Sequence, residues 1–217
     1  MAEPEVVYED ERILAAAKPA GQAVITGRGI SGEPLSVQVG RRLGGKAFVA
    51  HRLDRDASGL VVFAKDAAAH RDLCLLFEGR RMGKLYLALV QGRVDSGGTV
   101  DRPLRVFGSG RSGVCAAGSG KASLTRYRVR VRGEEASLLE VEPETGRRHQ
   151  IRVHLHSLGH PVLGDRLYGK DRPVGGVERL MLHAWRLEFD LDGRRYRLCA
   201  QPGEDFLRGL GRYGVSL

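Results

Sequence analysis

The residues with most capacity for chemistry fall in two short polar segments. The first is His51-Arg52-Leu53-Asp54-Arg55-Asp56-Ala57-Ser58-Gly59, in which the carboxylate of Asp54 lies among neighbouring ionisable groups just before an apolar run. Polar loops leading into a buried strand are where scaffolds often place working side chains. On residue type alone Asp54 reads first as a turn-forming aspartate, and Asp56 reads as one. The second segment is Thr145-Gly146-Arg147-Arg148-His149-Gln150-Ile151-Arg152, continuing through His154, His156 and His160 to Gly164-Asp165. It holds four of the seven histidines, which raises a metal site. The zinc-protease pattern of two helical histidines at i, i+4 with a glutamate between them does not occur, and Arg147, Arg148 and Arg152 would repel a divalent cation. No metal is expected. Arginines after a glycine turn suit a phosphate or a carboxylate, because the guanidinium fork bonds two oxygens at once. Tyr86, in an apolar strand, is either a core tyrosine or a platform for a base.

These side chains need elements to hold them. Residues 59–65 (Gly-Leu-Val-Val-Phe-Ala-Lys) form a short continuous apolar run, the mark of a buried strand. Asp66 then N-caps a helix over 67–82 with Leu73, Leu76 and Phe77 on one side and Gly83 as its stop. Leu85, Leu87 and Leu89 alternate in the next strand; 137–141 is another, and 143–146 a turn. A helix over 148–158 follows, ended by Gly159, with Ile151, Leu155 and Leu158 on its apolar face and Arg148, Arg152 and His156 on another. Residues 125–132 alternate strictly, which predicts a strand with Arg126, Arg128, Arg130 and Arg132 on one face and no acid among them. Such a face is either solvated or a ribbon for phosphates. Strands over 184–191 and 194–200 join through Asp192-Gly193, a hairpin turn. Loops are expected over 27–34, 108–120 and 170–176. The sum is a mixed α+β protein.

The chain has 217 residues, enough for one large domain or two intimate subdomains with a real core. No apolar run approaches the ~20 residues of a membrane span. The acidic first ten residues lack the basic start and apolar stretch of a secretory signal. Three widely spaced cysteines without a CxxC pair suit a reducing cytoplasm, as small apolar side chains rather than catalysts. A net charge of +9 and a pI near 9.9, carried mostly by arginine, favour a polyanionic partner.

Taken together, the segments resemble the RluA family of pseudouridine synthases. His51-Arg52-Leu53-Asp54 with Ser58-Gly59 is similar to that family's catalytic loop, and Lys84-Leu85-Tyr86 to its Lys-x-Tyr strand. Gly146 to Arg152, Gly159-His160-Pro161-Val162-Leu163-Gly164-Asp165 and Tyr168-Gly169 resemble its long third signature. Leu180-Met181-Leu182-His183-Ala184 resembles its C-terminal strand, and Lys18-Pro19-Ala20-Gly21 its opening. The likeness runs from about residue 8 to residue 206. Ala57, Ala17 and Arg148 depart from the usual residues, all outside the implied catalytic set.

The resemblance implies a pseudouridine synthase fold: a mixed, largely antiparallel sheet in two halves with an RNA-binding cleft. It implies a single catalytic domain over 1–217 with no separate N-terminal RNA-binding domain. It also implies isomerisation of uridine in structured RNA, a ribosomal or transfer RNA stem-loop, without a cofactor, a membrane or an obligate protein partner. Asp54 is the implied catalytic carboxylate, attacking the ribose or removing its 2′ proton. Arg152 is implied to keep it ionised, Tyr86 to lie under the flipped base, Leu182 to form an apolar wall, and Arg52 to enter the place the base leaves. Charge patterning adds Arg126, Arg128, Arg130 and Arg132 as RNA contacts, and Arg147 joins them from its glycine turn. Two other readings stand beside this one. A non-catalytic RNA-binding module explains the charge but gives Asp54, Tyr86 and Arg152 no task, and a metal-dependent hydrolase would need the histidines as ligands.

Overall fold

The continuous apolar runs are explained by two strands buried on both faces. In chain order the elements are β1 (Glu5–Glu9), β2 (Ile13–Lys18), α1 (Leu35–Arg42), β3 (Phe48–Val49), β4 (Ser58–Ala64), α2 (Ala67–Glu78), β5 (Gly83–Gln91), β6 (Gly98–Asp101), β7 (Leu104–Val106), β8 (Ser112–Val114), β9 (Leu124–Val131), β10 (Ala136–Pro143), α3 (Gln150–Ser157), β11 (Leu182–Leu191), β12 (Arg194–Cys199) and α4 (Glu204–Gly211). The structure, a computed structural model, describes residues 3–27, 30–108, 110–169 and 177–217; the loop expected over 170–176 lies outside them. The chain forms two compact units, Met1–Lys84 with Ala184–Pro202, and Leu85–His183 with Gly203–Leu217.

In the first unit β2 and β4 pair antiparallel and are buried along their whole length. Side chains alternate across a strand. Ile13, Ala15, Leu60 and Val62 therefore enter one cluster, covered by Ala69, Leu73 and Leu76 of α2. Leu14, Ala16, Val61 and Phe63 enter another, covered by Leu35 and Val39 of α1. The strand order is β1-β2-β4-β11, with β3 on β4 and β12 on β11. Tyr8 of β1 meets Tyr196 of β12 edge to face at 5.9 Å. Both hydroxyls donate to Asp10, at 2.9 and 2.8 Å. The β11–β12 turn has Asp192 at φ 52 and Gly193 at φ 74, the two left-handed residues that a type I′ hairpin needs.

Asp66 caps α2 as expected, its carboxylate accepting from the Ala69 N–H at 2.7 Å. The helix stops at Glu78, four residues short of the expected end. Arg80 takes the left-handed conformation, φ 55, while Arg81 N–H donates to Leu76 O and Arg80 N–H to Phe77 O. This is a Schellman close with an arginine where glycine is usual, and it turns Met82 into the core beyond the helix.

In the second unit the strand order is β5-β10-β9-β6, and each register is antiparallel. Tyr86 lies opposite Val141, Arg128 opposite Glu140 and Arg126 opposite Glu142. The β7–β8 hairpin packs on α3 through Leu104, Val153 and Tyr168. Helix α3 begins later than expected, because His149 at its N-cap is left-handed, φ 56. Gly159, φ 86, ends it through the same double hydrogen-bond pattern seen after α2. Leu158, expected on the apolar face, sits at the C-cap and is exposed. The three cysteines are free thiols of intermediate burial. Among the described residues no helix is long and apolar enough to cross a membrane.

Candidate active site

The loop bearing Asp54 starts where β3 ceases to pair. Val49 lies opposite Phe63 on β4, and the next donor along β4, the Val62 N–H, is taken by a side chain: His51 Nε2 accepts it at 2.9 Å. The ring stacks on Phe77 with centroids 4.6 Å apart. An accepting Nε2 carries no proton. Burial, with the charge of Lys84 adding to it, lowers the His51 pKa to about 4 and keeps the ring neutral.

The other side of the loop is held by Lys18, the last residue of β2, which is 2% exposed. Its ammonium donates to the carbonyls of Pro19, Gln22 and Arg55 at 2.8, 2.7 and 2.9 Å. Arg55 and Gly21 bond each other twice more, Gly21 N–H to Arg55 O and Arg55 Nε to Gly21 O, both at 2.9 Å. The Lys-Pro-Ala-Gly opening thus clamps the residue that follows Asp54. Ala57 N–H donates to Asp54 O at 3.2 Å and turns the chain into β4. Gly59 is at φ +115, and a Cβ there would collide with the Ala184 backbone, so only glycine lets the loop enter the strand.

The second polar segment is organised by three buried groups. Gln150 Oε1 accepts from Thr145 Oγ1 at 2.6 Å and from Arg147 N–H at 3.0 Å. Its Nε2 donates to Leu124 O and Thr125 Oγ1, both at 2.9 Å, which ties the Gly146 turn to β9. Arg152 forms a bidentate pair with Asp165, Nε to Oδ2 at 2.7 Å and Nη2 to Oδ1 at 2.8 Å, with side-chain exposures of 6% and 1%. Burial raises the Asp165 carboxyl, but Arg152 and the N–H groups of Leu167 and Tyr168 outweigh it, and its pKa is lowered. Tyr168 completes the group: its ring faces the Arg152 guanidinium at 5.2 Å, and its hydroxyl bonds His149 Nδ1 at 2.8 Å.

The histidines have local partners as well. His154 is fully buried between Thr125 Oγ1 at 2.8 Å and Arg102 O at 3.0 Å, and burial lowers its pKa. His160 Nδ1 bonds Gln91 O at 3.0 Å. Among the described residues no group of three or more metal-binding side chains is placed to hold an ion.

Comparison with known proteins decides what this pair of segments belongs to. The sequence pattern of the RNA pseudouridylate synthases matches residues 12–157, which include Lys18, the Asp54 loop and Arg152. The chain belongs to the RluA family of pseudouridine synthases. It is 37% identical over 201 residues to ribosomal large subunit pseudouridine synthase D of Nitrosomonas europaea, covering 85% of this chain and 57% of the relative. It is 40% identical over 190 residues to the dual-specificity RNA pseudouridine synthase RluA of Vibrio cholerae, covering 85% of this chain and 76% of the relative. A solved structure of human RNA pseudouridylate synthase domain containing 1 superposes with a TM-score of 0.78 at 32% identity, covering 92% of this chain and 84% of the human one.

Within a pseudouridine synthase of this family, the residues singled out from the sequence divide between the two units. Arg52, exposed, and Asp54, half-buried, lie in the first. Tyr86, half-buried, and Arg152 and Leu182, both buried, lie in the second. So do Arg147, whose Nε donates to Ala122 O at 3.3 Å, and the four arginines of the ladder. That ladder is compensated from the neighbouring strand. Glu140 of β10 pairs with both Arg128 and Arg130, at 2.6 Å for the latter, Glu144 pairs with Arg126, and Arg132 Nε donates to Asp95 O at 3.1 Å. The sequence carries this compensation in the alternation of Glu140, Glu142 and Glu144, which lies outside the arginine strand. Sequence reasoning on residue types also missed Lys18, Gln150, Asp165 and Tyr168, whose importance lies in contacts across the chain.

Proposed function

We propose that this chain isomerises uridine to pseudouridine in large-subunit ribosomal RNA, with Asp54 as the catalytic carboxylate. Membership of the RluA family across residues 12–157 carries the reading, because that span holds the His51-Arg52-Leu53-Asp54 loop and the Lys18 clamp behind it. The names of the bacterial relatives support a ribosomal target, and the dual-specificity relative makes a second RNA class worth testing.

In the reaction the N1–C1′ bond of uridine breaks, the base turns, and C5 bonds to C1′; C5 loses a proton and N1 gains one. No atom enters from outside, so the chain's own residues carry the chemistry. Asp54 attacks the ribose or removes its 2′ proton. Either role belongs to the carboxylate, and Arg152 is the cation assigned to support it. The uridine leaves its stack at a cost of a few kcal/mol, less in a loop than in a duplex. Tyr86 is the surface on which it lies, Leu182 an apolar wall, and Arg52 the side chain that fills the vacated place. Arg126, Arg128, Arg130, Arg132 and Arg147 meet the phosphates, the ladder arginines by exchanging carboxylate partners for phosphate oxygens. The enzyme acts in the cytoplasm, where free thiols persist.

The test is tritium release from ribosomal RNA labelled at uracil C5 and taken from cells lacking this activity. Wild type is expected to release tritium, and Asp54→Asn to bind the RNA but release none. Release by Asp54→Asn would remove Asp54 from the chemistry. Release from transfer RNA alone would overturn the ribosomal target, and no release from any RNA by folded protein would favour a binding module.

A further inference from the structure

Tyr168 presents two chemically different ends to two different groups of residues. Its ring is faced by the Arg152 guanidinium at 5.2 Å and the Arg111 guanidinium at 5.7 Å. Its hydroxyl accepts the Ser112 N–H of β8 at 2.9 Å and bonds His149 Nδ1, at the N-cap of α3, at 2.8 Å. In the assignment that uses the hydroxyl's single proton, it donates to Nδ1 and leaves the imidazole proton on Nε2. The residue is 8% exposed, so both ends are sealed within the unit. Asp165 Oδ1 accepts the Tyr168 N–H at 3.1 Å as well as Arg152 Nη2 at 2.8 Å, so tyrosine and arginine share one anchor.

These contacts are not those of a filler in an apolar core. The carboxylate of Asp165 holds the edge of the Arg152 guanidinium and the ring holds its face, which together fix the plane of the cation. The hydroxyl reaches the β7–β8 hairpin, which belongs to a stretch, residues 102–133, with no Asp or Glu. That hairpin carries Arg105 stacked on Phe107 at 5.1 Å, with Val106 and Phe107 exposed, a surface suited to a nucleic acid.

We propose that Tyr168 is a positioning residue with two separable tasks: its ring aims Arg152, and its hydroxyl fastens the RNA-facing β7–β8 hairpin to α3. The inference rests on the role given above to Arg152 in uridine isomerisation.

The experiment compares wild type, Tyr168→Phe and Tyr168→Leu in steady-state tritium release on one RNA, and measures hydrogen exchange of the Ser112 amide without RNA. Tyr168→Phe keeps the ring and loses the hydroxyl. Its main loss should be a rise of about 3–10-fold in KM, with faster exchange at Ser112. Tyr168→Leu loses the ring, and kcat should fall about 10–100-fold as Arg152 loses its plane. Recovery of kcat by phenylalanine but not leucine separates aiming from general destabilisation. Equal losses of kcat in both variants, or a wild-type kcat in the leucine variant, would overturn the task of the ring. Unchanged Ser112 exchange in Tyr168→Phe would overturn the task of the hydroxyl, even if Tyr168→Leu fails to fold. An inactive wild type would instead count against the proposed reaction, and the exchange measurement would still judge the fastening.

Discussion

Acid should weaken this protein through His51, and the size of the effect can be worked from its surroundings. The folded pKa is about 4, because burial and Lys84 disfavour the imidazolium. In the unfolded chain an imidazole titrates near ~6.5. Between those values the unfolded state binds the extra proton, so stability is complete above the unfolded value and falls as pH drops towards the folded one. At ~1.4 kcal/mol per unit, the loss is ~2 kcal/mol by about pH 5 and ~3 kcal/mol once His51 is charged in both states. Protonation would also set an N–H against the Val62 N–H that Nε2 now accepts, releasing the start of the Asp54 loop. His51→Gln offers an acceptor near the place of Nε2 but cannot charge. The assay is urea unfolding of wild type and His51→Gln at about pH 7.5, 6 and 5, with the difference between the two proteins as the readout. Lost stacking on Phe77 affects the variant equally at each pH and cancels. Wild type should lose ~2 kcal/mol more than the variant across the range; parallel losses would refute a neutral His51.

The RNA surface and the loop clamp give two further expectations. Lys18→Met leaves the carbonyls of Pro19, Gln22 and Arg55 without their ammonium donor, which should destabilise the fold by ~1–3 kcal/mol and depress turnover even where the protein is folded. Thermal melting with tritium release checks it, and full turnover in a folded variant would separate the clamp from the reaction. Glu140→Gln neutralises the carboxylate between Arg128 and Arg130, so RNA should bind more tightly and the slope of log K against log salt should steepen by up to ~0.9 per phosphate gained. Arg128→Ala should flatten that slope, and a slope indifferent to both changes would remove the ladder from the interface.

How far the sequence could be read depended on whether the cause was local. Strand β4 was legible because a strand buried on both faces needs an apolar side chain at nearly every position. The Asp66 cap was legible because its hydrogen bond spans only three residues. The end of α2 was not. Gly83 looked like the stop, but the need to bury Met82 closes the helix earlier and forces Arg80 into a conformation its residue type disfavours. Strand β9 was found from its alternation, yet the ladder's counter-charges come from Glu140 of β10 and Glu144 just beyond it, and local sequence does not say which strands pair. Asp54 and Arg152 gained specific roles only through family resemblance. Residue type alone left Asp54 a plausible turn aspartate, and Arg152 gains its meaning from Asp165, thirteen residues away.

The two charged residues assigned to the reaction sit in structure that is anchored within their own units. Asp54 lies beside a loop tied by a buried ammonium to three carbonyls, and Arg152 is held by a buried carboxylate and an aromatic face. Burying an ammonium or a guanidinium is costly unless its hydrogen bonds are satisfied, so these contacts are hard to justify as packing alone. Their value is that orientation is set before RNA arrives and need not be paid for in the transition state. The ladder arginines are different: Arg126 and Arg128 are more than half exposed, and their partners can be exchanged. Changes at Lys18, Asp165 or the Tyr168 ring should therefore act on kcat, and changes along β9 on KM and its salt dependence. A β9 variant that lowered kcat at saturating RNA would mean that the arginine ladder takes part in aligning the uridine and does more than collect phosphates.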